Sequence, residues 1–141
     1  MSLKLGLLAS SQQQGAPGLL DTYPGAAAAY SLRKLRTAYA GFCCQVRRSS
    51  DNATQNINFV GNVIDTTSLL TFCGGANGFV SIWYDQSGNG NDASNATLAN
   101  QPQIVNAGSV ILVNSKPALQ IDATDFLSLS SILLPIKQHL V

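Results

Sequence analysis

The sequence contains no glutamate, and its seven acidic residues are all aspartates. Glycoside hydrolysis needs two carboxyl groups that face each other across a cleft. Asp85 with Asp92 or Asp122 is a conceivable pair, but each of these residues has a simpler use as a cap or turn former. The sequence therefore predicts no catalytic residue, and we expect a protein that is not an enzyme.

Charged residues are also scarce, at 11% of the chain with a formal net charge of +1. Soluble domains usually carry roughly one quarter charged residues, so this balance gives no reason to expect a nucleic-acid partner. No apolar run approaches the roughly 18 residues of a membrane-spanning helix. The first ten residues lack a usual signal-peptide core. We expect synthesis in the cytosol and no membrane insertion.

Metal-binding side chains are few. The chain has one histidine, His139, and three cysteines, Cys43, Cys44 and Cys73, with no C-x-x-C spacing. A zinc site is therefore not expected. The cysteines are expected to be buried free thiols, with a bridge from Cys73 to one of the other two as the alternative.

The most informative stretch is FVSIWYDQSGNGND, residues 79–92. Its first half alternates in the period-two pattern of a strand with both faces at least partly covered, which predicts a central strand. Its second half is almost entirely turn formers, which predicts a loop with left-handed backbone positions. If the chain has a functional site, we expect it to begin here.

The loop that begins at Asp85 reads D-Q-S-G-N-G, like the opening of a calcium loop. Asp85, Ser87 and Asn89 would supply oxygen ligands, but Ala93 and Ala96 occupy the ninth and twelfth positions. This excludes an EF-hand. We expect an Asx-rich turn in which Asp85 and Asn89 bond backbone amides, and a looser calcium site at the same three residues stays open.

Carbohydrate binding is a second possible use of this stretch. Trp83 and Tyr84 offer faces for stacking on a sugar, and Asp85 and Asn89 offer planar hydrogen-bonding groups. These four residues are the candidate carbohydrate-binding residues. The alternative is that Trp83, on a central strand, belongs to the core.

Two N-x-T sequons, at Asn52 and Asn95, also fall in predicted loops.

The remaining pattern predicts two helices and several hairpins. Residues 1–18 have no hydrophobic period, which indicates a flexible N-terminal arm that could serve as an attachment segment. Residues 19–141 form one domain, and the apolar run 132–141 suggests that the domain continues beyond the given chain. The first predicted helix follows a cap at Asp21 or Thr22, has Pro24 in its first turn, includes residues 26–39 and stops at Gly41. The other predicted elements are a hairpin over 42–60, a helix over 68–73 capped at Asp65, a strand at 103–105, a hairpin of 110–113 with 118–122 around the turn 114–117, and a strand from Phe126.

Several blocks resemble known families. AAAAYSLRKLRTAYAG, VRRSSDNATQNI, DTTSLLTFCG and WYDQSGNGNDA resemble the N-terminal half of the catalytic domain of the α-L-arabinofuranosidase B family. That resemblance implies a concanavalin-like, laminin-G-like β-sandwich. In that family the nucleophilic Glu and the acid/base Asp lie C-terminal of the YDQSGNGN block, in chain that this sequence does not contain, so the resemblance implies the fold without a catalytic residue.

The same blocks, continued by QPQIV and NSKPALQID, resemble bacteriophage and prophage virion proteins of the tail-fibre or head-fibre type, over roughly residues 19–129. We judge this resemblance the closer one. It implies a structural virion component, assembled in the host cytoplasm, with other virion proteins as partners, a homo-oligomer such as a trimer, and a host-surface glycan as ligand.

The sequence thus predicts a mainly β protein: a concanavalin-like (jelly-roll) β-sandwich or its first half, with two short helices and an N-terminal arm. Two other functions stay open. One is a glycoside hydrolase of the arabinofuranosidase B type without its catalytic half, and the other is a calcium-dependent carbohydrate-binding module.

Overall fold

The computed structural model describes residues 16–130, and this part of the chain is mainly β with two short helices. All of its strand pairs are antiparallel, and the predicted fold class is confirmed. The helices are α1 (Leu19–Thr22) and α2 (Thr66–Cys73), and the strands are β1 (Cys44–Arg48), β2 (Thr54–Ile57), β3 (Phe59–Val60), β4 (Val63–Ile64), β5 (Gly78–Trp83), β6 (Ala93–Ser94), β7 (Gln103–Asn106), β8 (Ser109–Val110), β9 (Leu112–Val113), β10 (Lys116–Pro117) and β11 (Ser128–Leu129). None of the helices in residues 16–130 is both long and apolar enough to cross a bilayer.

β5 lies at the centre of a seven-stranded sheet, which confirms the prediction of a central strand. β1 pairs with one edge of β5 along its length, from Cys44 opposite Trp83 to Arg48 opposite Gly78. Two short strands share the other edge: β6 pairs at the Trp83 end and β7 at the Gly78 end. The loop after β5 therefore begins where three strands of the sheet come together.

The core lies between this sheet and α2, since Leu69 and Cys73 are buried on the helix. The side chain of Asp65 caps α2 by accepting a hydrogen bond from the Ser68 amide at 3.0 Å, as predicted. The buried apolar cluster consists of Cys43, Cys44, Val46, Ile57, Ile64, Leu69, Cys73, Val80, Ile104 and Val105. The three cysteines are buried free thiols.

The predicted helix over residues 26–39 is wrong. This segment is irregular, apart from an isolated bridge between Arg33 and Val63. The Leu32 carbonyl accepts from the Ile64 amide at 2.9 Å, so part of the segment runs beside β4. Alanine favours a helix by only a few tenths of a kcal/mol per residue, and tertiary hydrogen bonds to the segment outweigh that preference.

The predicted second hairpin exists, but its strands differ. β9 and β10 are two residues each, and a tight two-residue turn joins them, in which Asn114 and Ser115 both adopt positive φ. The predicted strand over residues 118–122 is wrong: in that stretch only Gln120 forms a bridge, to Gln103.

Some predictions concern residues outside the described range. The N-terminal arm falls mostly in residues 1–15, and the apolar terminal segment with His139 falls in residues 131–141. The predicted domain boundaries therefore stay predictions.

The two sequons differ in accessibility. Asn52 lies in an exposed turn, whereas Asn95 is 7% exposed. The Asn95 Nδ2 donates hydrogen bonds to the carbonyls of Asn100 at 3.0 Å and Phe126 at 2.8 Å. A glycan on Nδ2 would remove one of these bonds and would not fit a buried site.

We expect the folded protein, when produced in a eukaryotic secretory system, to carry a glycan at Asn52 and none at Asn95. Mass spectrometry of glycopeptides from the soluble, folded fraction checks this. Occupied Asn95 in folded protein would contradict the placement of that side chain.

Candidate functional site

The loop that follows β5, residues 85–92, is organised by the carboxylate of Asp85. Asp85 is 5% exposed. Its Oδ1 accepts from the amides of Ala29 and Ser87, each at 2.8 Å. Its Oδ2 accepts from the Ser87 hydroxyl at 2.6 Å and from the Asn91 amide at 3.0 Å. Burial by itself would raise the pKa of Asp85, but these hydrogen bonds outweigh burial and lower it.

Gln86 connects the loop to the irregular segment. Its side chain is fully buried, and both its amide oxygen and its amide nitrogen bond to backbone groups. Oε1 accepts from the Leu35 amide at 2.7 Å, and Nε2 donates to the carbonyls of Ser31 at 3.1 Å and Arg33 at 2.9 Å. The glutamine therefore satisfies polar groups that a helix or a sheet would otherwise pair.

The outer half of the loop holds the start of the same segment. Asn89 Nδ2 donates to the Ala26 carbonyl at 2.9 Å, and Asn91 Nδ2 donates to the Ala27 carbonyl at 2.7 Å. The Tyr30 hydroxyl donates to the Asn91 carbonyl. We call residues 85–92 the Asx loop and residues 26–35 the anchored segment. Loop side chains replace secondary structure along the anchored segment.

A positive charge already sits beside the Asx loop. The Arg36 guanidinium donates to the Ser87 carbonyl at 3.0 Å. Gly88 has φ +94°, and a Cβ on it would lie 2.8 Å from Arg36 Nη1. A calcium ion at Asp85, Ser87 and Asn89 would have to displace the donors of the Asp85 carboxylate and tolerate this guanidinium.

Residues 16–130 contain no cluster of three His, Cys, Asp or Glu side chains that could hold a metal ion. The predicted calcium site stays a prediction.

A groove of about 640 Å³ lies on the other side of the anchored segment. Two of its lining residues are Tyr30 and Trp83, whose rings lie 5.9 Å apart and are tilted by 44°. Arg33 and Lys116 supply the charges; the other lining residues are Ser31, Leu32, Val63, Pro117, Ala118, Leu119 and Ile121. The Asx loop thus positions Tyr30 at the groove through the anchored segment.

The four predicted carbohydrate-binding residues do not share one surface. Trp83 lines the groove, but the Tyr84 hydroxyl donates to Asn56 Oδ1 at 2.8 Å, and its ring lies 6.1 Å from the ring of Phe42. Asp85 and the amide nitrogen of Asn89 are occupied within the Asx loop and by the anchored segment. Carbohydrate binding by this set stays a prediction.

The aspartate side chains have structural partners. Every one of the seven accepts a hydrogen bond from a backbone or side-chain group: Asp21 from Gly18 and Thr37, Asp51 from Arg48 and Ala53, Asp65 from Ser68, Asp85 as above, Asp92 from the Asp85 amide, Asp122 from Gln120 and Asp125 from the Asp122 amide. The pKa of Asp51 is lowered to about 2 because Arg48 donates to it. A general acid needs a raised pKa, and hydrogen bonds hold the pKa of Asp21 and of Asp85 below its ordinary value as well.

The sequence patterns missed Tyr30 and Gln86. Tyr30 falls within the predicted helix without a role of its own, and Gln86 is given no role in the predicted loop. The available signal is that glutamine is a poor turn former, so a glutamine inside a run of Asp, Ser, Gly and Asn indicates a side chain with a specific partner.

Comparison with known proteins places these features in one family. The family model described as Alpha-L-arabinofuranosidase B, catalytic, matches residues 21–121. The chain is 40% identical over 102 residues to α-L-arabinofuranosidase B of Penicillium canescens, covering 67% of this chain and 22% of the relative. It is 39% identical over 101 residues to a probable α-L-arabinofuranosidase B of Aspergillus clavatus, covering 67% and 20%.

A solved structure is also similar. A GH54 α-L-arabinofuranosidase soaked with a cyclic sulfate inhibitor has a TM-score of 0.53 and 29% identity, over 62% of this chain and 21% of that chain. The likeness agrees with the β-sandwich prediction. The chain spans about a fifth of the length of the curated relatives that it matches.

These findings correct the virion interpretation. The predicted identity as a bacteriophage head-fibre or tail-fibre protein, its structural function and its virion location are wrong, because the family model and the relatives are arabinofuranosidases. The expectation of a protein outside the enzymes is wrong for the same reason. The absence of glutamate misled the interpretation, since the chain spans only about a fifth of the length of these relatives. The predicted homo-oligomer and glycan partner stay predictions. The matched region spans the central sheet, the Asx loop and the groove, and the chain belongs to the α-L-arabinofuranosidase B catalytic family.

Proposed function

We propose that this chain forms part of a glycoside hydrolase catalytic domain, and that the whole protein removes α-L-arabinofuranosyl groups from its substrate. The observation that carries the proposal is the family match over residues 21–121. That range includes the anchored segment and the Asx loop, so the match rests on the packed centre of the fold.

The aspartates of this chain support the inference that the catalytic carboxyl groups belong to other parts of that domain. Hydrolysis of a glycosidic bond uses one carboxyl as acid and another as nucleophile or base. The carboxylates of residues 16–130 accept hydrogen bonds that hold the fold, and these bonds lower the pKa of Asp21, Asp51 and Asp85. We infer that the acid and its partner come from other residues of the domain, while this chain supplies the central sheet.

A segment exchange tests the proposal. The matched segment of the Penicillium canescens enzyme is replaced by residues 21–121 of this chain, and hydrolysis of 4-nitrophenyl α-L-arabinofuranoside is measured. We expect kcat/KM within about tenfold of the parent enzyme, because the carboxyl pair lies outside the exchanged segment. The melting temperature of the hybrid protein establishes that it folds. A folded hybrid without turnover would overturn the proposal.

An assay of the 141-residue chain alone tests whether the catalytic carboxyl groups lie outside it. We expect no turnover above the buffer rate, because no carboxyl pair is free to act. Turnover that is abolished by Asp85→Asn or Asp92→Asn, with the melting temperature unchanged, would place the catalytic pair within this chain. It would contradict the inference that the pair comes from other residues of the domain.

A further inference from the structure

The groove has an unusual charge distribution. Its lining includes two cations, Arg33 and Lys116, and no aspartate. Neither cation has a carboxylate partner in residues 16–130, where the one salt bridge joins Arg48 to Asp51. Lys116 lies on β10 and Arg33 on the anchored segment, so two different segments bring a positive charge to the same groove. The groove is therefore electrostatically suited to an anion.

The rest of the lining is apolar and aromatic. Tyr30 and Trp83 present two tilted rings 5.9 Å apart, and Leu32, Pro117 and Leu119 supply aliphatic contact. Such walls favour a flat hydrophobic group, since planar rings stack on aromatic faces and bury apolar area. A sugar is a poorer fit, because the lining offers few planar hydrogen-bonding side chains.

Trp83 adds a polar requirement. Its Nε1 is the one buried side-chain polar atom of residues 16–130 without a hydrogen-bond partner. An unpaired buried donor costs about 1–3 kcal/mol, and tryptophan usually finds an acceptor when buried. A ligand oxygen that reached Nε1 would supply one.

We propose that this groove binds a small planar aromatic carboxylate, with the ring against Tyr30 and Trp83 and the carboxylate between Arg33 and Lys116. The inference is separate from the proposed hydrolytic function, because it needs neither the catalytic carboxyls nor the rest of that domain. This binding requires both a negative charge and a planar ring in the ligand. A test compound can lack either feature alone.

The chain contains one tryptophan, so the indole N–H of Trp83 gives a single resonance in a ¹⁵N-labelled sample. We expect 4-hydroxybenzoate to shift this resonance saturably. The neutral isostere 4-hydroxybenzamide is expected to bind at least about tenfold more weakly, and added salt to weaken the binding of the carboxylate. L-arabinose at the same concentration should leave the resonance unchanged.

Substitutions separate the cations from their neighbours. Arg33→Gln and Lys116→Gln are each expected to weaken 4-hydroxybenzoate binding severalfold while leaving the melting temperature unchanged, since both residues are exposed. Lys34→Gln is the matched control, because Lys34 adjoins Arg33 but does not line the groove. It should leave the affinity unchanged.

Four outcomes would overturn the proposal. These are no saturable shift, equal affinity for the amide, a shift with L-arabinose in place of the carboxylate, and a resonance position that depends on protein concentration. The last two would assign the groove to a sugar or to a second copy of the chain.

Discussion

Gln86→Glu is expected to lower the free energy of unfolding by about 3–5 kcal/mol at pH 7, the range for an uncompensated buried charge. The substitution is isosteric, but it turns a donor that faces the carbonyls of Ser31 and Arg33 into a carboxylate oxygen. The fully buried side chain has no solvent to screen the new charge. Since domains are stable by only 5–15 kcal/mol, this one change would remove much of the stability.

Urea unfolding followed by Trp83 fluorescence measures the effect. Gln55→Glu is the matched control: Gln55 is half-buried, and its partner is the Ser68 hydroxyl at 3.3 Å, which can donate to a carboxylate instead. We expect that control within about 0.5 kcal/mol of the natural chain. Equal midpoints for the two variants would show that Gln86 does not hold the anchored segment.

Asp85→Asn is expected to cost about 2–3 kcal/mol at pH 7, the range for leaving a buried polar group unpaired. The carboxylate accepts two donors on each oxygen. The amide of an asparagine, in either orientation, would place its NH₂ group facing two of these donor groups. Asp51→Asn is the control, because that carboxylate is exposed and its ion pair with Arg48 is a surface contact.

The acid dependence gives Asp85 a second readout. Its pKa is lowered from 3.8 in the folded protein, so the folded state favours the ionised form. The stabilisation from ionised Asp85 is complete well above pH 3.8 and is lost as the pH falls through the lowered pKa. Between pH 5 and pH 2, the urea midpoint should fall less steeply in Asp85→Asn than in the natural chain. Parallel pH profiles would contradict this role.

The sequence correctly predicted the elements that are stabilised by interactions between neighbouring residues. The alternation before Asp85 identified β5, and Asp65 identified the start of α2, because strand burial and helix capping act within a few residues. The anchored segment was predicted as a helix from its own alanines, leucines and arginines. Its partners Asp85 and Gln86 lie more than 50 residues later in the chain, and no window over residues 26–39 contains that information.

The candidate site shows the same limit. Trp83 and Asp85 were identified from the strand and loop that contain them. The groove needs Tyr30 and Lys116 as well, which come from segments far apart in the sequence. A glutamine among turn formers indicates a specific partner for Gln86, but the loop sequence does not show that this partner is the anchored segment.

The long sequence separation within the Asx loop contacts has a consequence for biosynthesis. Residues 26–35 leave the ribosome first, but the side chains that order them are on residues 85–91, up to 64 positions later. The anchored segment therefore lacks these side-chain partners until the loop has been synthesised. Contacts this distant in sequence slow folding, and before they form the anchored segment is where a chaperone or a protease would act on the nascent chain.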